Sequence, residues 1–136
     1  MDEAYRMREL ALGILEPIEE KAKELDFCDV HSMAMGTLIK GHGFQRHNYC
    51  QFKDGGLPQG DVTRTGLWNE ELGLYAIIET FQDWYPTQDT PNGTVYYVDE
   101  NFISVELYEV KEPVEDLEFT GKLDAWGKIL IKEGRD

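Results

Sequence analysis

Leu10, Ile14, Ile18, Ala22 and Leu25 recur at steps of three and four residues, with Ala11 and Leu15 beside them. That period lines apolar side chains along one face of a helix, so Asp2 to Asp26 is predicted to be helical. The other face carries Glu9, Glu16, Glu20, Lys23 and Glu24. Gly13 and Pro17 fall in the middle of the run. Proline has no N–H to donate, which predicts a kink or a restart near Glu16. A helix of this kind must bury its stripe against a second layer, and the rest of the chain reads mostly as strands.

Val30 to Ile39 is apolar enough to read as a strand buried on both faces, interrupted by Gly36. Lys40 to Gly43 reads as a turn, and Phe44 to Phe52 fits either a short helix or a second strand. Lys53 to Asp61, with three glycines and a proline, reads as a loop. Val62 to Trp68 and Leu72 to Phe81 are predicted strands around the turn Asn69-Glu70-Glu71. Asp83 to Gly93 reads as a loop and Thr94 to Asp99 as a strand. Over Glu100 to Glu109 two patterns compete: FISVEL alternates like a strand, whereas Phe102, Val105 and Tyr108 keep helical spacing. Leu117 to Thr120 and Ala125 to Ile131 are the last predicted strands, joined through Gly121. The expected class is α+β in a single domain spanning 1–136, with an N-terminal helix over 1–27 and the strands after it.

Charge narrows the partners. Acidic residues number 27 against 13 basic ones, for a net charge of −14. Nucleic-acid binders need a basic stripe, and anionic membrane surfaces repel such a chain, so neither is expected as a partner. A basic protein partner fits the charge. Asp99 to Glu118 holds eight acidic residues against Lys111 alone. No run approaches the roughly 20 apolar residues of a membrane span. No basic segment followed by an apolar one opens the sequence, so a cytoplasmic location is expected, with Cys28 and Cys50 as free thiols.

Asp29 to Cys50 gathers all three histidines and Cys50, with Cys28 immediately before it. Cys28-x-x-His31 and His47-x-x-Cys50 mirror one another and suggest a tetrahedral zinc site. Against that, a strand would point Cys28 and His31 to opposite faces. Ser32 and Gln51 also stand where a zinc knuckle usually has glycine, so the expectation is no metal and no cofactor. A second candidate is the backbone of Met35-Gly36-Thr37-Leu38 before a glycine turn, where unpaired N–H groups could cradle a carboxylate or phosphate. A third is the series Glu106, Glu109, Glu112, set among Phe102, Val105, Leu107 and Tyr108. A glutamate among apolar neighbours suits general-base work near neutral pH. Ser32 and Ser104 lack the turn context of a nucleophile.

Several of these motifs in order resemble the γ-glutamyl cyclotransferase family, with its AIG2-like and γ-glutamylamine branches. MGTL at 35–38 stands for the family's Y-G-[ST]-L and is followed by IKGHGFQRHNY. TGLW and GLYAII follow, then NGTVYYVDE, FISVELYEV and AWGKILI. The likeness spans Asp29 to Ile131. It implies a small closed barrel of mixed strands over 28–131. It also implies substrate binding by Met35, Gly36, Thr37 and Leu38, and an acid/base at Glu109. The implied reaction releases 5-oxoproline and a free amine from a γ-glutamyl amide or amine, with no cofactor. Met35 stands in place of the family's tyrosine and Val110 in place of its glycine. Those departures carry a second expectation: a catalytically degenerate member that acts as an acidic protein-binding module.

Overall fold

The computed structural model describes residues 3–54, 59–117 and 125–132. Helix α1 runs Glu3–Ala22, ending four residues before the expected Asp26, and buries Ala11, Ile14, Leu15, Ile18 and Ala22 of the expected stripe together with Met7; Leu10 is exposed and Leu25 lies beyond the helix. Pro17 lies inside it without ending it. The carbonyl deprived of its donor belongs to Gly13, which is exposed with open space above its Cα, so water can satisfy it.

The stretch after α1 is a helix where a strand was expected. Helix α2 runs Phe27–Gly36 and continues as a π-helical turn over Thr37–Gly41. Val30, Ala34 and Leu38 are buried while their neighbours are half-buried or exposed. That four-residue period marks one buried stripe. Mixed apolar residues such as Met33, Met35 and Ile39, which pack only partly against the core, blurred it into an apparently two-sided strand.

Five strands follow: β1 Gln45–Asp54, β2 Gln59–Asn69, β3 Leu74–Thr90, β4 Gly93–Glu109 and β5 Ala125–Lys132. They form one sheet in the order β1-β2-β3-β4-β5, every neighbouring pair antiparallel. The chain is thus α+β, but the small mixed barrel is corrected to an open antiparallel meander. Among the described residues β1 and β5 stay at opposite edges. Short hairpins can join only antiparallel neighbours. The segment expected to start a barrel is instead α2, which packs with α1 over one face of the sheet.

Phe44 to Phe52 and Glu100 to Glu109 resolve as strands. The expected loop Asp83–Gly93 is largely strand, with irregularities at Asp83/Trp84 and Pro86/Gln88. Proline is tolerated in a ladder at such breaks. Of the strand expected over Leu117–Thr120, residues 118–120 and the linking Gly121 lie outside the described residues.

The sheet has two dissimilar faces. Leu67, Leu74, Ala76, Ile78, Ile103, Val105, Leu107 and Ile129 meet the helices. Gly127 lies under α1, where a Cβ would come within 2.8 Å of Leu15 Cδ1 and 3.3 Å of Ala11 Cβ. The opposite face carries Tyr75, Ile77 and Tyr108, with Leu117 packed on them. Among the described residues no helix is long and apolar enough to cross a membrane.

Candidate functional site

Glu109 ends β4 and is exposed. It lines a recess of about 530 Å³ together with Glu3 and Arg6 of α1, Trp68, Glu70 and Lys111. Gly36 and Thr37 line a different groove of about 640 Å³, between the end of α1 and the α2–π helix. The structure therefore places Glu109 beside the first turn of α1 and the β2–β3 turn, apart from Gly36 and Thr37.

Met35 packs partly against the core and Leu38 is fully buried. The N–H of Thr37 donates to the carbonyls of Met33 and Ala34. Met35 and Gly36 lie past the first turn of α2, where each N–H is spent on the helical ladder. These three donors are occupied in the helix.

The β2–β3 turn that shapes the Glu109 recess is fixed by Asn69. Its Oδ1 accepts from the N–H of Leu72 at 2.9 Å, and its Nδ2 donates to the carbonyl of His42 at 2.7 Å. Gly73, at φ 68°, takes the left-handed conformation that closes this turn. Trp68, half-buried and packed against Tyr75 with ring centroids 6.3 Å apart, also lines the recess.

The four residues of the suggested metal pattern are dispersed. Cys28 is exposed at the start of α2, while Cys50 packs on the far face of the sheet. Burial, and secondarily Arg46, pushes the pKa of His31 down and favours its neutral form. Among the described residues no group of three or more His, Cys, Asp or Glu side chains is arranged to hold a metal ion.

A polar network lies on the far face of the sheet. Arg64 Nε donates to Glu79 Oε2 at 2.6 Å, and Arg64 Nη1 donates to the carbonyl of Leu117 at 2.5 Å. Tyr108 donates a short hydrogen bond to Glu106, which also faces Lys128 Nζ at 3.7 Å. Burial, then that hydrogen bond, raises the pKa of the Tyr108 phenol. Burial, then the Glu115 charge, raises that of Tyr75. Both therefore stay protonated donors at neutral pH.

The segment from Val110 to Leu117 straps this face. Asn48 Nδ2 donates to the carbonyl of Glu115 at 2.6 Å, and Tyr75 Oη donates to that of Val114 at 3.1 Å. His47 joins the same group, with Nδ1 3.1 Å from Tyr75 Oη and Nε2 3.5 Å from Glu115 Oε1.

No protein-family model, curated protein or solved structure matches this chain. The reading of function therefore rests on the chemistry of its own surfaces. Glu79 is committed to Arg64 of β2, and Glu106 to Tyr108 and Lys128 of β5, so both carboxylates serve to hold the sheet together. The sequence reading missed the Arg64–Glu79 pair. Its signal was present: the hairpin turn at Asn69 sets residues 64 and 79 opposite one another. The exposed carboxylates Glu3, Glu70 and Glu109 line one recess with Trp68, Arg6 and Lys111.

Proposed function

We propose that this chain acts by binding, as an acidic module for a basic protein segment, rather than by releasing 5-oxoproline from a γ-glutamyl amine. The observation that carries this reading is the recess at the start of α1, which Glu3, Glu70 and Glu109 line together with the half-buried Trp68, against the two cations Arg6 and Lys111. A lysine or arginine side chain of a partner can lay its charge over the indole face while the carboxylates balance it. Such a contact is worth about 0.5–1 kcal/mol at an exposed site, and more when water is excluded. Arg6 already pairs with Glu3 at 3.2 Å, so Glu70 and Glu109 are the carboxylates offered to the partner. Glu71 and Glu112, both exposed nearby in sequence, extend the negative field. A net charge of −14 steers a basic partner toward the surface and raises its rate of encounter.

The cyclotransferase reading needs Glu109 and the Met35–Leu38 backbone on one substrate. The separation of their two recesses and the engaged N–H groups of α2 favour the binding reading over it. The experiment is a titration of the intact protein with a lysine- and arginine-rich peptide, followed by Trp fluorescence at low and high salt. Binding that weakens with salt, and falls at least about tenfold in the Glu70→Lys/Glu109→Lys double variant, is expected. Equal binding of a glutamate-substituted peptide would sink the proposal. So would 5-oxoproline release from a γ-glutamyl panel that is lost in Glu109→Gln.

A further inference from the structure

The groove between the end of α1 and the α2–π helix shares no residue with the Trp68 recess. Its floor is Leu25, Met33 and the bare backbone of Gly36, and Lys21 and Lys40 also line it. Both lysines are exposed, and neither makes an ion pair with a described residue. In a chain this acidic, two unpaired lysines bordering one apolar groove are a local reversal of charge. Asp29, also lining the groove, offsets only one of them.

Gly36 supplies an independent observation. Its backbone is ordinary right-handed helix, φ −62° and ψ −39°, which any residue adopts. A Cβ there would meet nothing within 4 Å. Neither backbone geometry nor packing calls for glycine at this position, and glycine weakens a helix. What its bare Cα does provide is depth, letting a ligand lie against the main chain. The π-helical turn Thr37–Gly41 borders the same groove, and such turns occur often at functional sites. Thr37 Oγ1 donates only to the weak sulfur acceptor of Met33, at 3.7 Å, and can turn to a better one.

We propose that this groove binds a free aliphatic carboxylate. The hydrocarbon chain lies on Leu25, Met33 and Gly36, and the carboxylate is held by Lys21 and Lys40 with help from the Thr37 hydroxyl. The groove, about 640 Å³, is broadly open to solvent, so the chain lies along its surface rather than in an enclosed cavity. The lysines set the sign of the head group, and the glycine sets the room for the chain. This inference does not depend on the basic-partner reading.

The test is calorimetric titration of the intact protein with decanoate, with decyltrimethylammonium as the cation of similar chain. Saturable one-to-one binding of decanoate alone is expected. Affinity should fall at least about tenfold in Gly36→Phe, which fills the groove, and in Lys21→Glu/Lys40→Glu, which reverses its charge. Gly13→Phe makes the same change at an exposed helical glycine outside the groove and should bind like the parent. Circular dichroism confirms that each variant keeps its fold. Three results would overturn the proposal: equal binding of the cation, undiminished affinity in folded Gly36→Phe, or no saturation with monomeric decanoate. Co-sedimentation with anionic vesicles in place of monomer binding would also overturn it, assigning the surface to a membrane.

Discussion

Arg64 on β2 and Glu79 on β3 lie directly opposite in register and join at 2.6 Å, each side chain about four-fifths buried. Arg64 also reaches the carbonyl of Leu117, so one guanidinium ties two strands to the strap. Removing one partner strands the other charge in a poorly hydrated site. Arg64→Ala should cost about 3 kcal/mol, less than a wholly dry pair would lose because some water reaches both groups. Glu79→Gln keeps an acceptor and should cost about 1–2 kcal/mol. Arg64→Met combined with Glu79→Leu should recover much of the loss. Urea unfolding of the three variants checks the order.

Gly66 and Tyr75 make a second relationship of this kind. A Cβ on Gly66 would come within 2.7 Å of the Tyr75 ring carbon Cζ. The ring is fully buried and its hydroxyl is engaged by His47 and Val114, so it has no free direction to move. Gly66→Ala should cost about 1–3 kcal/mol through overpacking and loosen the strap. Faster amide hydrogen exchange across 110–117, with little change in α1, would confirm it.

Gly127 sets the approach of α1 to the sheet. Gly127→Val forces bulk against Leu15 and Ala11, both fully buried, and should destabilise by about 1–3 kcal/mol. A variant as stable as the parent would show that α1 can ride higher on β5 without loss.

His31 gives a pH dependence with a defined sign. Its folded pKa is depressed below 6.5, chiefly by burial, while the unfolded chain protonates at its ordinary value. The unfolded state therefore binds more protons, and stability falls as pH drops from about 6.5 toward the lower folded pKa. Above 6.5 both states are neutral and the contribution is level. His31→Gln should remove this part of the acid slope in unfolding experiments run across that interval.

The α1 stripe was legible because one helix face is buried and the other is charged; Leu10 departs from it, being exposed at 36 %, and Leu25 falls past the helix end, half-buried. The hairpin around Asn69 was legible because alternation and turn chemistry agree there. The α2 segment was not. Its apolar residues exceed what one helical face needs, so Val30, Ala34 and Leu38 do not stand out from Met33, Met35 and Ile39. The loop expected over Asp83–Gly93 failed for a related reason. Its prolines signal a break, and the ladder with β4 absorbs that break as two irregularities.

The candidate site divides along the same line. The sequence by itself determined the acidic excess of 27 residues against 13 and the α+β class, because these depend on residue type and period alone. Only the tertiary structure decided that Glu109 stands with Trp68 and Glu70, while Gly36 and Thr37 stand with Lys21 and Lys40. Those neighbours come from separate elements, brought together by helix-on-sheet packing and hairpin register. A helix also consumes backbone donors that a strand end would have left open. The helical state of α2 thus moved Gly36 from a backbone cradle to the floor of a groove.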